Sequence, residues 1–249
     1  MNGVECSDMS SATYHYRSFF ETLLSFDKTA ANTFLKTANF AKDESSSITQ
    51  VKTVTDDKTS GYLKRRALVK NGKVFNFVTS LHLDFFRTSK LIAAGIGFKL
   101  KFVKNNDDFI ILSEDEKEYK VEILDLKISI QRVSISSSLY TKHISNFERG
   151  QNAYYPFRQS KFSSFLLPKG ISSHHIPSIA NGILPQTLYI GFVQSQAFSG
   201  KKDLNGYHFQ NLSLNHIQFC VNGTSMPGTA YTPDFTKNQY SRSYQSKFL

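Results

Sequence analysis

The feature that most constrains this chain is a change of hydrophobic period at Val74. From there apolar side chains recur at every second residue: Phe75, Phe77, Leu81, Leu83 and Phe85 share one face, and Asn76, Ser80, His82 and Asp84 take the other. Successive side chains point to opposite faces only in an extended backbone, so this spacing predicts a half-buried strand. Phe98, Leu100 and Phe102 alternate in the same way with Lys99 and Lys101. A short strand is expected over residues 109–112. The longest signal covers residues 119–135, where Leu124, Leu126, Ile128 and Ile130 alternate with Asp125, Lys127 and Ser129. The apolar phase slips between Ile123 and Leu124 and again before Val133, which reads as a bulge or a sharp bend. Further short strands are predicted over residues 161–167, 188–193 and 217–221. Turn residues separate them at Pro168-Lys169-Gly170, Asn181-Gly182, Ser199-Gly200, Asn205-Gly206 and Asn222-Gly223.

Helices are few. Tyr16, Phe19, Phe20, Leu23 and Leu24 recur at three- and four-residue spacing, one face of a helix. A second short helix is expected over residues 30–38. A third is capped by Ser136 to Ser138, contains residues 143–147 and ends at Gly150. Residues 43–66 are polar and aperiodic, which predicts a long surface loop or weak edge strands. The chain contains 22 Phe and 12 Tyr but no Trp, and Phe and Tyr favour strands and fill the space between sheets. The expected fold is therefore mostly β: a jelly-roll antiparallel sandwich with a few short helices. Its core should contain Phe75, Phe77, Leu81, Leu83, Phe85, Leu126, Ile128 and Ile130.

The same residues argue against most chemistry. His174 and His175 are adjacent and point apart on a strand, and His208 and His216 are eight residues apart among turns. Cys6 and Cys220 offer no metal-type spacing. Gly72-Lys73 and Gly200-Lys201 lack the upstream glycine and following Ser or Thr of a phosphate loop. No Gly-x-Ser-x-Gly elbow occurs, and the acidic run at residues 113–118 reads as a solvated turn. The expectation is no catalytic residue, no cofactor-binding residue, no metal ligand, no cofactor and no enzyme activity. Net charge is +10, with Lys64, Arg65 and Arg66 the largest basic cluster. That permits unspecific DNA contact. Lys99, Lys101 and Lys104 could follow a nucleic-acid backbone, but Phe98 and Phe102 are expected to face the core, away from the charges, so no stacking platform forms. No secretory signal is read in residues 1–11, and no apolar run approaches the roughly 20 residues of a membrane helix. No membrane partner is expected.

Several stretches carry a family resemblance. They are Tyr14 to Phe26, Leu81-His82-Leu83-Asp84-Phe85-Phe86, Phe98-Lys99-Leu100-Lys101-Phe102, and the NDDFIIL stretch ending at Leu112. The series continues through Ala153-Tyr154-Tyr155-Pro156-Phe157-Arg158, Gly182-Ile183-Leu184-Pro185, Gln196-Ala197-Phe198-Ser199-Gly200 and Pro233-Asp234-Phe235. In this order they resemble the capsid proteins of Polinton (Maverick) elements, the virus-like DNA transposons of animals, and their adintovirus relatives. The resemblance implies a major capsid protein with two jelly rolls per chain, assembling with copies of itself as trimers and with other capsid proteins. Residues 1–118 would form an incomplete first roll with a helical excursion and polar loop, and residues 119–249 the second. The resemblance supplies no catalytic residue. In the family a β-rich stretch precedes the segment matching Tyr14 to Phe26, so this chain is expected to be N-terminally truncated, a capsid protein or its transposon-derived remnant. The expected location is a virion, or otherwise the cytoplasm or nucleus of the host cell. The alternatives are a penton-type minor capsid protein with one jelly roll and a β-sandwich nucleic-acid-binding module.

Overall fold

The computed structural model describes residues 13–41, 43, 60–180 and 182–245. Cys6, the polar segment 44–59 and the opening residues of the expected first roll lie outside them. The chain runs through α1 (Tyr14–Ser25), α2 (Lys28–Asn32), a 3-10 turn (Phe34–Ala38), α3 (Ser60–Val69), a 3-10 turn (Asp84–Arg87), α4 (Asp107–Ile110), α5 (Ser137–Glu148), α6 (Ser195–Phe198), β1 (Cys220–Val221), β2 (Thr224–Ser225) and α7 (Ser241–Gln245).

This architecture overturns the expected mostly-β jelly-roll sandwich. Among the described residues the sheet content is one antiparallel pair, β1 with β2, in the register Cys220 to Ser225 and Val221 to Thr224. Isolated bridges join Phe192 to Gln210, Ile217 to Tyr231 and Asp234 to Gln239. The physical reason is that alternation fixes side-chain direction, whereas a strand also needs a neighbouring backbone to bond. Residues 74–83 are not helical, yet their backbone bond to another element runs from the Val78 N–H to the Thr37 carbonyl, 2.8 Å. Within residues 119–135, the Val121 N–H goes to the Asp107 carboxylate, 2.9 Å, rather than to a strand. Five of the eight expected core residues consequently stand in water: Phe75, Phe77, Leu126, Ile128 and Ile130 are 40% to 61% exposed. Leu81, Leu83 and Phe85 are half-buried.

Two local expectations also change. Residues 109–112 do not form a strand. Asn106 caps α4 by accepting from the Asp108 N–H, and Asp107 and Asp108 supply acidic charge to its first turn. Residues 60–66, expected as surface loop or weak edge strand, belong to α3, whose Arg65 is ion-paired with Asp43. Asn71 and Gly72 do not open a strand; both take positive φ, and the Gly72 N–H closes the end of α3 on the Val69 carbonyl, 3.1 Å. Other signals are realised as read. The Ser136 side chain accepts from the Leu139 N–H to cap α5, and the Gly150 N–H bonds the Phe147 carbonyl at its far end. Asn222 and Gly223, with φ of 50° and 81°, turn β1 into β2.

The core forms around α1. Tyr16 is 2% exposed. Its ring stacks on Phe198 at 5.5 Å and on Phe162 at 5.9 Å, with Phe109, Tyr207 and Phe209 edge-on within 6.0 Å. One turn on, Phe19 stacks on Tyr207 at 4.7 Å and Phe20 meets Phe209 at 4.8 Å. This core draws residues from both sides of Tyr119. Outside it apolar surface is abundant. Val74, Leu91, Leu124, Leu166 and Ile183 are 64% to 92% exposed.

Candidate functional site

The polar groups that do converge lie on the other face of α1. Arg17 and Glu21 are one helical turn apart, so both side chains project from one stripe. They pair at 3.3 Å. The segment entering the 3-10 turn at Asp84 brings three more groups to that stripe. Asp84, 4% exposed, pairs with Arg17 and accepts from the Ser160 N–H at 2.8 Å and the Ser160 hydroxyl at 3.1 Å. His82 Nδ1 lies 2.8 Å from Glu21 Oε2, and Arg87 donates to the same oxygen at 2.7 Å. The Tyr14 hydroxyl also accepts from the His82 N–H, 3.0 Å. Alternation placed His82 and Asp84 on one face, as they are, but that face is turned to α1 instead of to solvent.

Each carboxylate here is committed. Asp84 is held by one guanidinium and two Ser160 donors, and Glu21 by two guanidinium groups and an imidazole. A general base needs a free lone pair beside a reacting atom; these have theirs in internal bonds. The arrangement fastens α1 to residues 82–87 and 160. The sequence signal for it was the Arg17–Glu21 spacing of four, overshadowed by the apolar stripe of the same helix.

The aromatic side of α1 carries the most perturbed groups. Burial lowers His15 from 6.5 to about 4. Burial raises Tyr16 to about 12. It also raises Tyr207, with a smaller contribution from neighbouring Tyr16. Elsewhere, a cleft of about 340 Å³ is lined by Leu214, Thr232, Pro233, Asp234 and Phe235 among others. The Asp234 carboxyl is held below its ordinary range by hydrogen bonds from the Thr236 hydroxyl and the Lys237 N–H. An ionised carboxylate occupied in its own turn offers a substrate little.

The residues weighed from sequence do not gather. His174, His175 and His216 are exposed and His208 is half-buried. Among the described residues no group of three His, Cys, Asp or Glu side chains could hold a metal ion, and no helix is long and apolar enough to cross a membrane. Lys99 and Lys101 are exposed, but Lys104 is bound to Asp107 at 2.7 Å and to the Val121 carbonyl at 3.1 Å. Phe98 and Phe102, expected to face the core, are 44% and 48% exposed; among the described residues no sheet closes over their segment or over 119–135.

No family model matches the chain, and no solved structure matches it. It is similar to an uncharacterised protein of Caenorhabditis elegans, 21% identical over 239 residues. The aligned region takes in 94% of this chain and 54% of that protein, so the chain spans about half the length of the curated relative it matches.

Proposed function

We propose that this chain is a structural subunit that works by self-assembly, a component of a viral-type shell or its transposon-derived remnant. The observation that carries the reading is the apolar surface of residues 123–135. Ile123, Leu124, Leu126, Ile128, Ile130 and Val133 are 46% to 69% exposed. Single exposed apolar residues are ordinary in a monomer; six of them within eleven residues, interleaved with Asp125, Lys127 and Ser129, are the mark of an interaction surface. A protein that functions alone keeps such a run covered. A subunit that meets copies of itself leaves it for its neighbours.

The family-like motifs add a second line of support. Their segments at Tyr14 to Phe26, Leu81 to Phe86, Asn106 to Leu112 and Gln196 to Gly200 are far apart in sequence but meet around α1, through Tyr16 with Phe109 and Phe198 and through Arg17 with Asp84. They act as one packed unit, the body that presents the exposed segments. Catalysis has no part in this reading, because the buried Asp84 and the half-buried Glu21 are spent on holding α1.

The test is the mass of the purified chain in solution by light scattering after size-exclusion chromatography, with negative-stain microscopy of the same fractions. Trimers or larger closed particles are expected. A monodisperse monomer at tens of micromolar would refute the proposal.

A further inference from the structure

We infer that His15 makes α1 an acid-releasable clasp: the helix stays docked while the imidazole is neutral and lets go when it takes up a proton. This rests on the surroundings of the ring and holds whether or not the chain builds a shell. The His15 ring lies between Tyr16 at 4.3 Å and Phe109 at 4.4 Å, with Tyr207 edge-on at 6.0 Å. Its Nδ1 is 3.3 Å from the Asn105 side-chain nitrogen. The Asn105 amide cannot turn freely, because its oxygen already accepts from the Asn106 N–H at 2.8 Å. Asn105 therefore presents a donor to Nδ1, which fixes the proton of the neutral ring on Nε2. Nε2 is buried and has no partner among the described residues.

A second proton has nowhere suitable to go. On Nδ1 it would set two donors face to face, and it would place a positive charge among aromatic rings beside an Nε2–H that already lacks an acceptor. The facing groups offer no compensation. From α1 comes Tyr16, and from residues 204–209 comes Tyr207; both phenols are kept neutral by burial. On α4, Asp107 is bound to Lys104 and Asp108 is exposed. In the loop after α6, Asp203 pairs with Lys201 at 3.2 Å through Oδ2; its buried Oδ1 has no hydrogen-bond partner among the described residues, so it is not bonded to His15 Nε2. Arg17, two residues along α1, is turned to Glu21 and Asp84.

The sign follows. The docked ring, at about 4, binds a proton less readily than the released ring at 6.5, so docking is favoured above pH 6.5 and weakens as pH falls toward 4. Between pH 7.5 and 5 those two values give a rise of about 30-fold in the release equilibrium; screening of a partly exposed ring reduces this to about tenfold.

The experiment is hydrogen exchange of the α1 amides in the full chain at pH 7.5 and 5, corrected for intrinsic rates, in wild type and H15Q. Both are compared again in an H82Q background, because His82 is a second imidazole in contact with α1, through Glu21. The opening constant of α1 is expected to rise about tenfold more in wild type than in H15Q. Asn105→Asp, which replaces the donor facing Nδ1 by an acceptor, is expected to suppress the rise. An equal pH response in wild type and H15Q would overturn the inference. Should H15Q fail to fold, NMR titration of the His15 ring in wild type decides: a midpoint well below 6.5 supports the clasp, and one at the ordinary value refutes it.

Discussion

Asp84→Ala is the sharpest perturbation of the polar stripe on α1. The wild-type carboxylate is 4% exposed and satisfies Arg17, the Ser160 N–H and the Ser160 hydroxyl together. Removing it leaves a buried N–H without an acceptor and a guanidinium, 15% exposed, with half its partners. Breaking one side of a buried pair costs about 3–5 kcal/mol. Arg17 retains Glu21, so the low end, about 3 kcal/mol, is expected. For a chain of this size that corresponds to a fall in Tm of roughly 6–12 °C. Far-UV circular dichroism follows the transition; the chain has no Trp, and its 12 Tyr allow a parallel fluorescence record. Asp84→Asn, which can still accept from Ser160, should lose about half as much. A fall of less than 2 °C for Asp84→Ala, or the same loss in an Arg17→Met background, would refute the reasoning that this pair fastens α1.

Three further outcomes follow from the aromatic side. Tyr16→Phe removes the hydrogen bond its hydroxyl donates to the Gly206 carbonyl, 3.0 Å, in a buried setting, and should cost about 1–2 kcal/mol in urea unfolding. Gly206→Ala would place a Cβ 2.5 Å from the Phe109 ring and 3.2 Å from the Ala197 carbonyl; a loss of about 1–3 kcal/mol is expected by the same assay. Tyr16 ionises near 12 when buried and near 10 when free, so its contribution is complete below pH 10 and lost as pH rises through 12. Stability measured across that range should fall less in Tyr16→Phe than in wild type.

The parts of the fold that were legible in the sequence are those decided locally. The apolar spacing of Tyr16, Phe19 and Phe20 marks the face of α1 that meets the other aromatics, and Ser136, Gly150 and Asn222-Gly223 end or turn the chain where their backbone chemistry says they must. Alternation in residues 74–85 identified which side chains share a face, but not which face is covered, and His82 and Asp84 ended on the buried one. Residues 119–135 fail differently. Their pattern describes an extended segment, and its hydrogen-bond partners are decided by whatever backbone lies beside it, which no local spacing encodes. Phe109 and Ile110 went to helix because the Asn106 cap and the two following aspartates start a turn there, and Ile111 beyond it is extended. The Arg17–Asp84 pair, separated by 67 positions, has no local signature at all.

In the assembly proposed above, copies of this chain cover one another's exposed apolar segments. Hydrogen exchange of the amides of residues 122–135, followed across a dilution series that spans the association of the chain, tests it most directly. Strong protection is expected in the assembled protein and near-intrinsic exchange in the dilute monomer. Exchange that is fast in both, or unchanged with concentration, would contradict it.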